Sequence, residues 1–143
     1  LLDDLGVLGQ VVSVGPNSSR ALLIVDNTHA ISARVERTGM AVVAEGIGQS
    51  DTLRVIHLPH STDVQEGDRL VTSGLDGVFP EGYPIARVNK VNRDPRQPFL
   101  QVAAEPFAKL DRIRYVLLVW PHVGTSQADP EMLAPPEDAK EKP

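Results

Sequence analysis

The 143 residues carry 14 Lys and Arg against 19 Asp and Glu, a formal charge of −5, with 41% hydrophobic residues but only three Phe, two Tyr and one Trp. That balance fits a folded chain with an aliphatic, β-branched core. It excludes the basic footprint of a nucleic-acid binder and the aromatic platform on which bases stack. The absence of cysteine removes disulfides and thiolate metal sites.

The length suits one medium domain or two small ones. No apolar run approaches the ~18 residues that cross a bilayer, and Leu1 in place of a start methionine points to a piece of a longer protein. Residues 1–6 put Leu1 and Leu5 at helical spacing ahead of Gly6, which reads as the end of an upstream helix, coiled coil or frayed terminus. From Val7 the texture changes to short β-like runs separated by turn residues, the signature of a sandwich or barrel. Strands are expected over 7–14, 20–25, 30–37, 40–45, 52–58, 69–72, 83–91, 99–104 and 112–120.

Alternation is clearest at Ile31, Ala33 and Val35 and again at Ile113, Tyr115, Leu117 and Val119, which marks half-buried strands. Leu22 to Val25 and Val116 to Val119 are apolar on both faces and should lie between packed layers or at a barrel-to-barrel contact. A single helical turn is expected over 107–111, after Pro106. At an offset of 77 residues, Val11, Val14, Leu22, Leu23 and Val25 align with Val88, Val91, Phe99, Leu100 and Val102. Two related hairpins would produce this match, as would two unrelated Val-rich ones. Beyond Trp120 the Pro-rich, acidic residues 121–143 should be disordered.

Several residues invite chemistry. Ser73 could serve a hydrolase with His29, His57 or His60 as base, but glycines do not flank it in the nucleophile-elbow pattern. His57 and His60 stand three apart across Pro59 on a strand end, where such spacing does not share a face, so no metal site is expected. Arg87, Lys90, Arg93 and Arg96 form a basic stretch better suited to a solvated edge than to an anion site. Trp120 stands at a strand end, which gives little support to a glycan-binding module. The most unusual segment is 74–84, with three glycines and two prolines around Leu75, Val78, Phe79 and Tyr83. Its apolar side chains either plug the end of a barrel or offer a partner surface.

That segment, extended to Thr72-Ser73-Gly74-Leu75-Asp76-Gly77-Val78-Phe79-Pro80-Glu81-Gly82, resembles the characteristic stretch of the MreC family of rod shape-determining proteins. Gly6 to Val14, Ala21 to Asp26, Ala104 to Leu110 and Val116 to Val119 also resemble the family's other segments. Family members commonly carry glycine where Ala86 stands. The resemblance implies an all-β fold of two small β-barrels, distantly like the halves of chymotrypsin-type proteases but without their triad. The expected units are the end of a coiled coil over 1–6, a first barrel over 7–60 to which 112–120 returns, a second over 61–120, and the tail 121–143.

It further implies a bitopic protein on the periplasmic side of the bacterial inner membrane, a non-enzymatic scaffold of cell-wall elongation without catalytic residue, cofactor or metal. Its implied partners are copies of itself, MreD, the actin-like MreB and the class B penicillin-binding transpeptidase. From the residues themselves, Leu75, Val78, Phe79, Tyr83 and Phe99 are the candidates for the partner surface.

Overall fold

A computed structural model describes residues 1–3 and 5–120, and its regular elements are all strands: β1 (Gly9–Val14), β2 (Ser19–Leu23), β3 (Ala30–Val35), β4 (Ala41–Gly46), β5 (Leu53–Leu58), β6 (Arg69–Thr72), β7 (Pro84–Asn92) and β8 (Leu100–Pro106). The last six close a barrel in the order β3-β4-β5-β8-β7-β6, every neighbour antiparallel. The all-β class is therefore as expected.

Period-two patterning dictates which side chains fill the barrel. On β3, Ile31, Ala33 and Val35 are fully buried while Ser32 and Arg34 face outward. Six strands enclose little space, and the small Ala33, Ala44 and Ala104 leave room for Leu53, Leu70 and Ile85. At the end of β4, Gly46 lies so close to the backbone of Val25 and Asp26 that a Cβ there would collide with it.

The ring closes at the seam between β3 and β6, where only Ala33, Arg34 and Val35 find register partners, namely Thr72, Val71 and Leu70. Side chains brace this short ladder. Beyond β3, the Arg37 guanidinium donates through Nε to Asp68 Oδ1 at 2.8 Å and through Nη2 to Asp68 Oδ2 at 3.0 Å and Asp63 Oδ1 at 3.2 Å. Toward the other end of the seam, Arg34 Nη1 donates to Glu81 Oε2 at 2.9 Å. Asp68 also accepts from the Gln65 N–H, and Arg37 holds its carboxyl below the usual carboxylate range.

The β1–β2 hairpin forms a separate two-stranded sheet. Val7, Leu8, Ile24 and Val25 bury it against the barrel, and the Val7 N–H donates to Pro84 O at 2.9 Å. Its relation to β7–β8 goes beyond the sequence match. The pairing of β1 with β2 slips between Val11 and Ser13, and that of β7 with β8 between Val88 and Lys90, the same positions at the 77-residue offset. A shared β-bulge is a discrete backbone feature that general Val-richness does not produce.

The division expected at residues 60 and 61 does not hold, because one barrel runs from β3 to β8 across it. Strand β5 pairs with β8 and β3 with β6, so each expected unit supplies the other's missing edges. The helical end expected over 1–6 does not form among the described residues of that span. Asp3 Oδ1 accepts from the N–H groups of Leu5 and Gly6 at 2.7 and 2.8 Å, a local turn that competes with helix. Leu2 is buried and forms bridges with Val7 and Leu117.

Residues 112–120 form no strand, only that Leu117 bridge, and Val116, Leu117 and Leu118 remain at least half exposed. Burial matches the two-faced apolar pattern at Ile24 and Val25; over 116–119 only Val119 packs partly against the core, and no second layer covers the rest among the described residues. Residues 107–111 form turns rather than a helix. The expectation for 121–143 lies outside the described residues.

Replacing Arg37 by Ala leaves the buried Asp68 carboxylate with the Gln65 N–H alone. The expected loss at pH 7 is about 1–3 kcal/mol by chemical denaturation. Because the folded Asp68 pKa is depressed, its stabilisation is complete above the unfolded carboxylate value of about 3.9 and disappears as pH falls through the folded value. The variant should therefore lose less stability than the parent over that acid range.

Candidate interaction surface

The loop after β6 owes its shape to a few residues. Gly74, Gly77 and Gly82 have φ of 76°, 71° and 95°, in the left-handed region that side chains avoid. Asp76 Oδ1 accepts from Val78 N at 3.0 Å, and Thr72 Oγ1 donates to Pro80 O while accepting from Tyr83 N. These bonds fold the loop back on the barrel mouth. Phe79 is 5% exposed and Tyr83 half-buried, whereas Leu75 is 75% and Val78 40% exposed.

The five expected surface residues thus separate into three roles. Phe79 is chiefly a core residue: it plugs the barrel end, packs on the His29 ring at 6.2 Å between centroids, and shows only an edge to the groove beside Val78. Tyr83 packs partly against the same core. Val78 faces a groove of about 560 Å³ shared with Val11, Val14, Leu118 and Trp120 on the hairpin side. Leu75 and Phe99 lie elsewhere, on the barrel's outer wall.

What joins them was not read from the sequence. On the outer wall Ser32 of β3 pairs with Val43 of β4, and Val43 pairs with Ile56 of β5. Leu75 lines a shallow groove with Ser32 and Val43, and Phe99 lines a groove of about 610 Å³ with Ile56, His57 and Lys90. An apolar stripe therefore crosses the strands from Leu75 through Val43 (38% exposed) and Ile56 to Phe99 (41% exposed). Ion pairs flank it on both sides, Arg34 with Glu81 and Arg54 with Glu45. The available signal was an apolar residue at an outward position, Val43 between Val42 and Ala44 and Ile56 between Val55 and His57.

The Phe99 end is shaped by a bulge. Val55 pairs with Val102 and Leu58 with Leu100, so Ile56 and His57 together oppose Gln101. His57 takes a φ of 61°, and its ring meets Phe99 edge-on at 5.5 Å.

The expected chemical candidates are dispersed. Ser73 Oγ accepts from Leu75 N, His29 Nε2 bonds Gln10 Oε1 at 3.2 Å, and His60 Nε2 bonds Gln97 O at 2.6 Å, so among the described residues no histidine is hydrogen-bonded to the serine. In the basic stretch, Arg87 and Arg69 stack on Phe107, Arg93 donates to the carbonyls of His60, Thr62 and Val64, and Arg96 pairs with Asp94. The arginines thus have intramolecular duties, and Lys90 stands apart from them in the Phe99 groove.

Comparison with known proteins places this geometry. A family model described as rod shape-determining protein MreC, barrel core, matches residues 1–120. The chain belongs to the MreC family. The cell shape-determining MreC of Haemophilus influenzae is 50% identical over 121 residues, 85% of this chain and 34% of that protein. The chain thus spans about a third of the length of the curated relatives it matches.

A crystal structure of MreC from Pseudomonas aeruginosa is 47% identical and superposes with a TM-score of 0.78, over 83% of this chain and 77% of that one. An MreC from Helicobacter pylori, solved in complex with the penicillin-binding protein PBP2, superposes with a TM-score of 0.52 at 17% identity, over 78% of this chain and 68% of that one. At that identity the likeness concerns the fold. In this barrel, Phe79→Ala should cost about 3–5 kcal/mol in urea denaturation, the penalty for emptying a buried aromatic site. Leu75→Ala should change stability by less than about 0.5 kcal/mol.

Proposed function

We propose that this region acts as a non-enzymatic scaffold of cell-wall elongation on the periplasmic side of the inner membrane, and that its outer-wall stripe docks the class B penicillin-binding transpeptidase. The observation that carries the reading is the stripe of Leu75, Val43, Ile56 and Phe99, an apolar centre flanked by charges that are already paired. A partner that covers it gains apolar burial while the flanking ion pairs stay intact, and Lys90 in the Phe99 groove is the charge it must accommodate. The complex of the Helicobacter pylori relative with PBP2 supports a partner of this class.

The closed barrel has no free strand edge, so recognition on that wall falls to side chains. Self-association is assigned to the other side, where the two-stranded β1–β2 sheet and the exposed Val14, Leu118 and Trp120 lie. The hairpin and the Leu2–Leu117 bridge belong, in this reading, to the first of the family's two β units.

The double variant Ile56→Lys, Phe99→Glu should weaken transpeptidase binding at least about tenfold, equivalent to about 1.4 kcal/mol. Its melting temperature and its self-association in ultracentrifugation should stay close to those of the parent. Unchanged affinity in a surface-binding assay, with the fold intact, would remove the stripe from the account.

A further inference from the structure

Where the hairpin meets the barrel, one titratable side chain is buried without a role in the proposed docking. His29 is 4% exposed in the turn that leads from β2 to β3. Its backbone is fixed, with the N–H donating to Asp26 O and the carbonyl accepting from Gly46 N, both at 3.0 Å. Its ring stands between two units. Nε2 bonds Gln10 Oε1 of β1 at 3.2 Å, and the ring meets Phe79 of the 73–83 loop edge-on. The other nitrogen, Nδ1, is buried with no hydrogen-bond partner.

We propose that His29 is a proton-operated latch: the neutral imidazole holds the β1–β2 hairpin and the Phe79 loop together on the barrel, and its protonation loosens both.

The charged groups that act on the ring are two carboxylates, Asp26 from its own turn and Asp76 from the loop, while β1 presents the neutral Gln10. Both carboxylates are already engaged. Asp26 Oδ1 accepts from the N–H and hydroxyl of Thr28, and Asp76 accepts from the N–H groups of Val78 and, at longer range, Ser32 and Phe79. Burial outweighs their attraction and holds the imidazole below its ordinary value.

A second proton on the ring puts an N–H at Nδ1, where nothing accepts it. Two responses are open, and each breaks a contact. The ring can move to water, which abandons Gln10 and Phe79. Alternatively, Asp76 can turn toward it, which uncaps Val78 and Phe79. In linkage terms, the unfolded chain takes up this proton at about pH 6.5 and the folded chain at a lower pH. The latch is therefore complete above about pH 6.5 and is lost as pH falls through the folded value.

The test is a titration of the full chain by NMR, following the His29 ring and the exchange protection of the amides of Gln10, Val78 and Phe79. The ring should titrate below about 6.5, and protection at the three amides should fall as it does, up to about tenfold for each unit of depression. In His29→Gln the protection should no longer depend on pH. If that variant fails to fold, the parent titration decides alone. A ring titrating at or above its ordinary value, or protection that stays constant through its titration, overturns the latch. No partner protein enters these readouts, so they fail or succeed apart from the docking proposal.

Discussion

Closure of the barrel at the β3–β6 seam is the constraint on which the other features depend. Only three residue pairs make that ladder, yet they turn an open sheet into a ring and remove its edges. An isolated ladder so short is weak. Arg37 on Asp68 and Arg34 on Glu81 add charge-assisted bonds along the seam, and the Ser73 N–H donates to Ser32 O to continue it into the loop. Because Thr72 is both the last seam residue and the first anchor of the 73–83 loop, closing the ring also sets the loop. Leu75 then lies beside Val43 on the outer wall while Phe79 fills the mouth.

Much of this was legible in the sequence because the physics is local. Eight strands follow from period-two alternation and from turn residues between them, and β6 has the bounds that the pattern gives. The 73–83 loop is marked by glycines at positions that need left-handed backbone and by an Asp two residues before the amide it caps. The hairpin repeat is legible too, and the bulges at Val11 and Val88 give it a structural counterpart.

What the sequence concealed was long-range. Which edges meet across residue 60 depends on β5 finding β8 and β3 finding β6, pairings separated by some forty residues and carrying no local mark. The Asp3 turn overrode a helical spacing of only two leucines. Residues 112–120 alternate as a strand should, but a strand needs a neighbour, and Leu117 alone finds one. The outer-wall stripe escaped notice for a related reason. Val43 and Ile56 are unremarkable in sequence and become a surface only when adjacent strands set them side by side.

Under the proposed function the two faces of the molecule take different tasks. The outer wall is edge-free and apolar at its centre, while the hairpin side has open strands and the buried His29 ring. A structure of the protein bound to the proposed transpeptidase partner tests this division most directly, through the surface that each side chain loses on binding. The account predicts that Val43, Ile56 and Phe99 become buried under the partner while Val14 and Trp120 keep their exposure. A partner seated on the hairpin, with the outer wall still open to solvent, would contradict it.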